Sequence, residues 1–241
     1  MISLTDTKVS VLICTRCSLH LSCKAPVYTT QQDNRKPLYS VVGEAPGKVE
    51  DEQGQPFVGP TGMYLKRTLR KYGARPSDGA WMNAVSCFPA ALKNPAFEHV
   101  TACRRNLFAQ LDQSPAVPCL VVGSVALQAL MPSATMMYAM GGPIPDMHGK
   151  TLFPIYHPSY VLRAQSRQLT DMWYRHVKAF ADMVKGLYVT RDTLQIANCV
   201  YCNAQRMTDN IVCIRHERLL AKDKIRKVGK LVPPKQPSLF E

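Results

Sequence analysis

Short apolar runs alternate with stretches of helical periodicity between residues 38 and 185. The runs have the length and continuous apolar character of buried parallel strands, and they lie at 38–42, 80–86, 117–122 and 151–156. Apolar residues at three- and four-residue spacing predict helices at 63–72, 97–111 and 167–185, and a short helix from 123–124 that stops at Pro132. This alternation predicts a three-layer α/β/α fold with a four-stranded, mainly parallel sheet. Residues 136–150, rich in glycine and proline, are predicted to form a loop or hairpin.

The stretch from Gly43 to Gly62, between the first strand and the first helix, holds five glycines and three prolines. Glycine lets the backbone approach a ligand closely, and proline fixes the turns in between. Because open α/β sheets bind ligands at the carboxyl ends of their strands, this stretch is predicted to be a rigid ligand-binding loop. The alternative is an ordinary strand-to-helix connection whose acidic residues are solvated.

Composition adds a prediction about the partner. The formal net charge of the 241 residues is +13 and the pI is near 9.4, which favours binding to nucleic acid or another polyanion over simple solubility. No run of 18 apolar residues occurs, and residues 1–10 lack a signal pattern. We therefore expect an intracellular, cytoplasmic and nucleoid-associated monomer that does not bind membranes.

Nine cysteines are many for an intracellular chain, and in a reducing compartment they are better explained as metal ligands than as disulfides. Cys14 and Cys17 form a C-x2-C pair, which needs two further ligands to complete a site, and Cys23 lies nearby. A second set with the spacing of a zinc ribbon or knuckle lies in the tail, where the alternative is incidental cysteines in a linker. That set is Cys199, Cys202, Cys213 and His216.

Polar residues follow the predicted strands at one edge of the sheet. Asn83 ends the second strand and His157 follows the fourth, so both are expected to share a crevice with the glycine-rich stretch. The planar amide of Asn83 offers a donor and an acceptor that match the edge of a base such as uracil, and Phe57 is positioned to stack on its face. For Asn83 or His157 taken alone, the alternative is a hydrogen-bonded polar group of the core.

These residues belong to a series of ordered motifs. The series is Gly43-Glu44-Ala45-Pro46-Gly47, Glu50-Asp51, Gly54-x-Pro56-Phe57-Val58-Gly59, Asn83 and His157-Pro158-Ser159-Tyr160-Val161-Leu162-Arg163. Over about residues 10–188 the chain resembles the uracil-DNA glycosylase superfamily, and within it the iron–sulfur branch, the family-four enzymes of bacteria and archaea. The resemblance implies a hydrolase acting on N-glycosyl bonds, which flips deoxyuridine out of DNA and releases uracil to begin base excision repair.

The resemblance also implies roles for individual residues. His157 would donate a hydrogen bond to the uracil oxygen that becomes negative as the bond breaks. Asn83 would read uracil and reject cytosine, and Glu44 would position water or stabilise the sugar cation, although the best-known uracil glycosylases use an aspartate. The remaining substrate-binding residues would be Gly43, Ala45, Gly47 and Phe57.

Contacts to DNA are implied for the segment after His157, which we expect to be a loop. Leu162 would wedge into the gap left by the flipped base and Arg163 would contact phosphate, whereas the alternative is a helix N-terminus packed on the sheet. Ser159 would contact phosphate or cap a helix.

A [4Fe–4S] cluster is implied at four cysteines, with a structural role and with zinc as the chemical competitor. These cysteines are Cys14, Cys17, Cys87 and Cys103, whereas Cys119 is expected in the core and Cys23 has no implied role.

Three domains are predicted: a glycosylase-like domain at 1–188, a basic zinc-binding module at 189–230 and a flexible tail at 231–241. The tail ends in Gln236-x-x-Leu239-Phe240, which resembles the peptide that binds the bacterial sliding clamp. Two alternatives to the uracil enzyme remain: an inactive uracil- or DNA-binding module tethered to the clamp, and a glycosylase for deaminated purines.

Overall fold

The computed structural model describes residues 14–29, 36–91, 94–113, 118–145 and 150–186. The predicted modules at 189–230 and 231–241 therefore lie outside the described residues, together with the tail cysteines, His216 and the clamp-like motif. Among the residues described, no helix combines the length and the apolar character that crossing a membrane requires.

The regular elements follow the predicted alternation of strands and helices. The strands are β1 Tyr39–Gly43, β2 Gly79–Asn83, β3 Pro118–Val122, β4 Ile144–Pro145 and β5 Thr151–Ile155. The helices are α1 Lys48–Gln53, α2 Pro60–Lys71, α3 Phe97–Asp112, α4 Ser124–Leu130, α5 Met136–Ala139, α6 Pro158–Ala164 and α7 Arg167–Val184. Short 3₁₀ turns lie at Ser18–Leu21 and Pro76–Asp78.

Four parallel strands form the sheet in the order β2-β1-β3-β5, which confirms the predicted parallel core. A fifth strand, β4, pairs antiparallel with β5 at the edge, within the segment predicted to be a loop or hairpin. It has two residues, so it is too short to produce a recognisable period in the sequence. The short helix α5 was missed in the same segment for the same reason.

Successive strand residues point to opposite faces of the sheet and build two separate cores. Val42 packs with α3 and α4 on one face, through residues such as Leu107 and Leu127. Val41 packs with α2, α6 and α7 on the other face, through residues such as Leu69 and Trp173. The predicted three-layer α/β/α arrangement is thereby confirmed.

The glycine-rich stretch differs from its prediction as a continuous loop. Helix α1 forms inside it, and α2 already begins at Pro60. Pro60 occupies the first helical position, where its fixed φ suits a helix and its missing N–H costs nothing. A short loop between α1 and α2 remains, and it turns at Phe57 with a positive φ of 57°.

Gly62, in the first turn of α2, permits a close approach between this loop and the helix. A Cβ at this position would lie 2.5 Å from Cα and 2.6 Å from the carbonyl carbon of Phe57. These are backbone atoms of a buried segment, so the neighbour cannot yield by rotating a side chain.

We predict that Gly62→Ala destabilises the protein, although alanine in a helix normally stabilises relative to glycine by about 0.5–1 kcal/mol. The overlap with the Phe57 backbone reverses the sign, with an expected loss of about 1–3 kcal/mol. Denaturant unfolding measures the difference. Arg67→Ala, at an exposed position of the same helix, serves as the control and should change stability little. An unfolding free energy of Gly62→Ala equal to or above that of the wild type would contradict the prediction.

Candidate active site and cysteine cluster

An open cavity of about 710 Å³ lies at the carboxyl ends of the parallel strands. This is the edge where polar residues were predicted to converge. Most of the predicted site residues line this one cavity, together with aromatic and polar neighbours that the sequence did not single out. The lining includes Glu44, Ala45, Gly47, Lys48, Glu50, Phe57, Asn83, Phe88, Pro89, Ser124, Tyr156, His157, Ser159, Tyr160 and Arg163.

Asn83 and Phe57 meet above Gly43. Strand pairing places Gly43 directly beside Asn83. A Cβ on Gly43 would overlap the amide oxygen of Asn83 and would lie 2.6 Å from Cζ of Phe57. The buried Phe57 ring also packs on Trp81, with centroids 5.1 Å apart. Gly43 thus does not line the cavity itself but leaves the space in which an amide and a ring can lie together.

The wall formed by the glycine-rich stretch is held by Glu50. Its buried carboxylate accepts hydrogen bonds from the N–H of Gly47, at 3.2 Å, and of Gly59, at 2.8 Å. The Glu50 side chain therefore links Gly47, which precedes α1, to Gly59, which precedes α2. The sequence quoted Glu50 only as part of a motif, although its position three residues after Gly47 is the spacing of a capping box.

His157 caps α6 and has a defined tautomer. The backbone N–H of Ser159 donates to Nδ1 at 3.3 Å, and the Ser159 hydroxyl lies 2.7 Å from the same nitrogen. Because a backbone N–H can only donate, Nδ1 is the acceptor and the neutral ring carries its proton on Nε2. Burial, and secondarily the charge of Arg163, lower the pKa of His157 to about 4. The carbonyl of Tyr156, the residue before His157, accepts a hydrogen bond from the indole N–H of Trp173 at 2.9 Å.

Glu44 shares the cavity with Arg163. Burial raises the pKa of the Glu44 carboxyl above its ordinary value of 4.5, while the positive charge of Arg163 opposes that rise. The main chain of Glu44 is fixed by a hydrogen bond from the N–H of Val85 to its carbonyl at 3.0 Å.

The segment after His157 is the helix α6, so the expectation of a loop was wrong. Pro158 at the first helical position and the His157 cap explain why a helix starts here. Arg163 and Ser159 line the cavity, whereas Leu162 does not and is 50 % exposed. Tyr160, also exposed, packs beside Tyr156 with ring centroids 5.1 Å apart.

A second, small cavity is surrounded by four of the predicted metal-ligating cysteines. These are Cys14 and Cys17 from the N-terminal arm (residues 14–29), Cys87 after β2 and Cys103 in α3. Asn106 donates from Nδ2 towards the sulfurs of Cys14, at 3.7 Å, and of Cys103, at 3.9 Å. Burial raises the pKa of both the Cys87 and the Cys103 thiols.

The four thiols are of the ligand type that an iron–sulfur cluster or a zinc ion uses. Among the described residues, no group of three or more His, Cys, Asp or Glu side chains is arranged to hold one metal ion. A tetrahedral zinc site needs sulfurs about 2.3 Å from a common centre. In an iron–sulfur cluster each thiolate binds its own iron, so the sulfurs stand farther apart around a shared space. The four thiols here line one shared cavity.

Two other cysteines, Cys119 and Cys23, do not line the small cavity. Cys119 is fully buried in β3, as the sequence predicted. Cys23 is hydrogen-bonded to the Cys87 side chain, a contact that sequence reasoning missed because the two residues are far apart along the chain. Asn106 was missed too, although its position three residues after Cys103 places both on one face of α3.

Comparison with known proteins gives consistent results. The sequence model of the family described as "Uracil DNA glycosylase superfamily" matches residues 32–185. A protein of Thermotoga maritima named "Type-4 uracil-DNA glycosylase" is 33% identical over 174 residues, which cover 71% of this chain and 90% of that protein. Proteins of the same name from Pyrobaculum aerophilum and Archaeoglobus fulgidus are 33% and 32% identical over 161 and 177 residues. These matches cover 62% and 70% of this chain, and 80% and 88% of those proteins.

We predict that stability falls as the pH is lowered from about 6.5 to about 4. His157 and His176 both have a pKa near 4, below the ordinary 6.5, mainly because they are buried. In this window the unfolded chain binds protons that the native protein does not, so each histidine lowers the unfolding free energy by at most about 1.4 kcal/mol per pH unit. Urea unfolding of the wild type and of His176→Gln across this range tests the idea. The unfolding free energy of the variant should fall less steeply with decreasing pH than that of the wild type. Equal pH dependence in the two proteins would refute the contribution of His176.

Proposed function

The chain belongs to the uracil DNA glycosylase superfamily, and we propose on that basis that it is a uracil-DNA glycosylase. It takes a deoxyuridine flipped out of DNA, hydrolyses the N-glycosidic bond and releases uracil, which begins base excision repair inside the cell. The observation that carries this proposal is the single cavity at the strand ends, which brings Asn83, His157 and Glu44 together. The alternative of an inactive binding module is not favoured, because the relatives of this chain are named as glycosylases.

Uracil recognition is assigned to Asn83 and Phe57. The amide of Asn83 offers one acceptor and one N–H donor, which complement the N3–H and O4 of uracil. Cytosine presents an acceptor and a donor in the opposite order and leaves the buried amide unpaired, which costs binding energy. The Phe57 ring, held by Trp81, supplies a flat apolar surface for the base.

Stabilisation of the leaving group is assigned to His157. As the bond breaks, uracil departs with negative charge on its ring oxygens. The Nε2–H of a neutral imidazole is a donor that is already oriented by the contacts of Nδ1 with Ser159. A pKa near 4 keeps the ring neutral at physiological pH, so donation of a hydrogen bond rather than of a proton is its role.

Glu44 is assigned to the sugar side of the reaction. Its carboxylate would orient the attacking water and stabilise the positive charge that develops on the sugar. The proximity of Arg163 favours the ionised form that both roles require. The backbone of Ala45 and Gly47 completes this wall of the cavity.

DNA contacts are assigned to α6 and its surroundings. Leu162, an exposed apolar side chain that precedes Arg163, is proposed as the wedge that fills the space left by the flipped base. Arg163 and Ser159 are proposed to contact phosphate near the cavity mouth. The net charge of +13 supports salt-sensitive binding to the DNA backbone.

The four cysteines around the small cavity are proposed to hold a [4Fe–4S] cluster. When bound, the cluster supplies a covalent link between the N-terminal arm, the end of β2 and α3. The arm is also joined to the protein by a hydrogen bond from the N–H of Val27 to the Ser86 carbonyl at 2.6 Å.

Two proposals concern residues outside the described part of the chain. Cys199, Cys202, Cys213 and His216 have the spacing of a zinc site, and Gln236, Leu239 and Phe240 resemble a clamp-binding peptide. Both stay predictions from sequence, and zinc analysis of the tail and pull-down with a sliding clamp are their tests.

The proposed activity predicts release of free uracil from uracil-containing DNA by the full-length protein. His157→Ala should lower kcat about 10²–10³-fold, because one donor to the developing oxyanion is lost. Asn83→Ala should abolish discrimination between uracil and cytosine as well as slow the reaction. Single-turnover assays on uracil opposite G, opposite A and in single strands measure these effects.

His176→Gln is the matched control, since His176 is a buried histidine with a similarly lowered pKa that does not line the cavity. It should retain the wild-type kcat at neutral pH. Tight DNA binding without any uracil release by the wild type would contradict the proposed activity.

The acid limb of the pH–rate profile is predicted to follow Glu44 rather than His157. The raised pKa of Glu44 places its protonation above pH 4.5, whereas His157 remains neutral down to about pH 4. Because Arg163 lowers the pKa of both groups, the variant that separates them is Glu44→Gln, which should remove the limb and leave a low rate that is independent of pH down to about 4. Single-turnover rates at saturating enzyme, with circular dichroism to confirm folding, provide the measurement. An acid limb that persists in Glu44→Gln would show that another group controls it.

A further inference from the structure

Asn106 lies on α3 and lines the small cavity together with the four cysteines. It follows Cys103 by three residues, and the whole residue is only 9 % exposed. Its amide nitrogen lies 3.7 Å from the sulfur of Cys14 and 3.9 Å from that of Cys103. It is thus a buried amide that points towards two sulfurs from different parts of the chain.

The orientation of this amide is fixed by Arg16. The guanidinium Nη1 donates to the Asn106 oxygen at 2.8 Å. Arginine has donors only, so the oxygen of Asn106 must face Arg16 and the NH₂ group must face the sulfurs. Arg16 lies inside the Cys14-x2-Cys17 pair, so the loop that carries two thiols also orients the amide.

The chemistry of the sulfurs explains what such a donor does. Cysteines that bind metal are thiolates, and four negative sulfurs in a mostly buried place need hydrogen-bond donors or positive charge. Cys103 also receives the backbone N–H of Ser86 at 3.3 Å. Hydrogen bonds to ligand sulfurs are one of the factors that set the reduction potential of iron–sulfur clusters. Outer partners of this kind also retain the metal.

We infer that Asn106, oriented by Arg16, is a positioning residue that donates hydrogen bonds to the Cys14 and Cys103 thiolates, retains the iron–sulfur cluster and raises its reduction potential. The inference rests on the cluster assigned under the proposed function. It concerns how tightly the cluster is held and how it is tuned, not the hydrolysis of the glycosidic bond.

Gln110 provides a matched control one turn further along α3. It is also a buried amide. Its hydrogen bonds go to main-chain atoms instead, with Oε1 accepting from the N–H of Thr29 at 2.8 Å and Nε2 donating to the Asn106 carbonyl at 3.1 Å. Gln110→Leu therefore removes a buried amide from the same helix without removing a donor to sulfur.

The experiment compares full-length wild type with Asn106→Leu, Arg16→Gln and Gln110→Leu, each purified without oxygen. Iron and sulfide content, the rate at which a chelator bleaches the visible absorbance, the Fe–S(Cys) stretching frequencies by resonance Raman and the midpoint potential by redox titration are measured. Asn106→Leu should lose its cluster about 10–100-fold faster than the wild type. Its Fe–S(Cys) frequencies should rise and its midpoint potential should become more negative, because the thiolates no longer share electron density with a donor.

Arg16→Gln should shift these quantities in the same direction by less, and Gln110→Leu should leave the stretching frequencies at the wild-type values. If Asn106→Leu matches Gln110→Leu in frequency and bleaching rate, Asn106 has only a packing role and the inference is overturned. A wild type that takes up no iron and sulfide would instead overturn the cluster itself, and the uracil-release assay reports separately on the proposed activity.

Discussion

The candidate site depends on the close contact of β1 and β2 at their carboxyl ends. Gly43 lies beside Asn83 in register, and its missing Cβ leaves the space in which the Asn83 amide and the Phe57 ring lie against the strand. Any side chain at this point would displace both groups. The glycine of the first motif is therefore explained by packing around the cavity and not by an unusual φ, since its backbone belongs to a regular strand.

The cavity and the cysteines are joined through the same part of the sheet. Cys87 directly precedes Phe88 and Pro89, which line the cavity. On the other side, the N–H of Lys24 in the N-terminal arm donates to the carboxylate of Asp51 in α1, at 3.0 and 3.1 Å from its two oxygens. A group that fixes the arm would therefore also support two walls of the cavity, which gives a structural cluster a physical connection to the site.

The charge of Arg163 changes the pKa of two groups in the cavity, and both changes favour the assigned chemistry. Its positive charge lowers the pKa of Glu44 and also that of His157. The first effect favours a carboxylate and the second favours a neutral imidazole, and the assigned chemistry uses both forms. One exposed cation can do this because both groups face the same cavity, where burial keeps their charges from being screened by water.

Sequence alone determined the parallel α/β core and the edge at which the polar residues gather, since strand length and helical period are local properties. The set of four cysteines was implied by the resemblance to a family. The sequence did not predict α1, the two-residue strand β4 or the helix after His157, because elements this short are decided by caps and by their neighbours. The tertiary structure alone decided the hydrogen bond from Gly59 to Glu50 and the contact of Asn106 with the Cys14 sulfur. Those contacts depend on distances between side chains brought together by folding, which no spacing along the chain specifies.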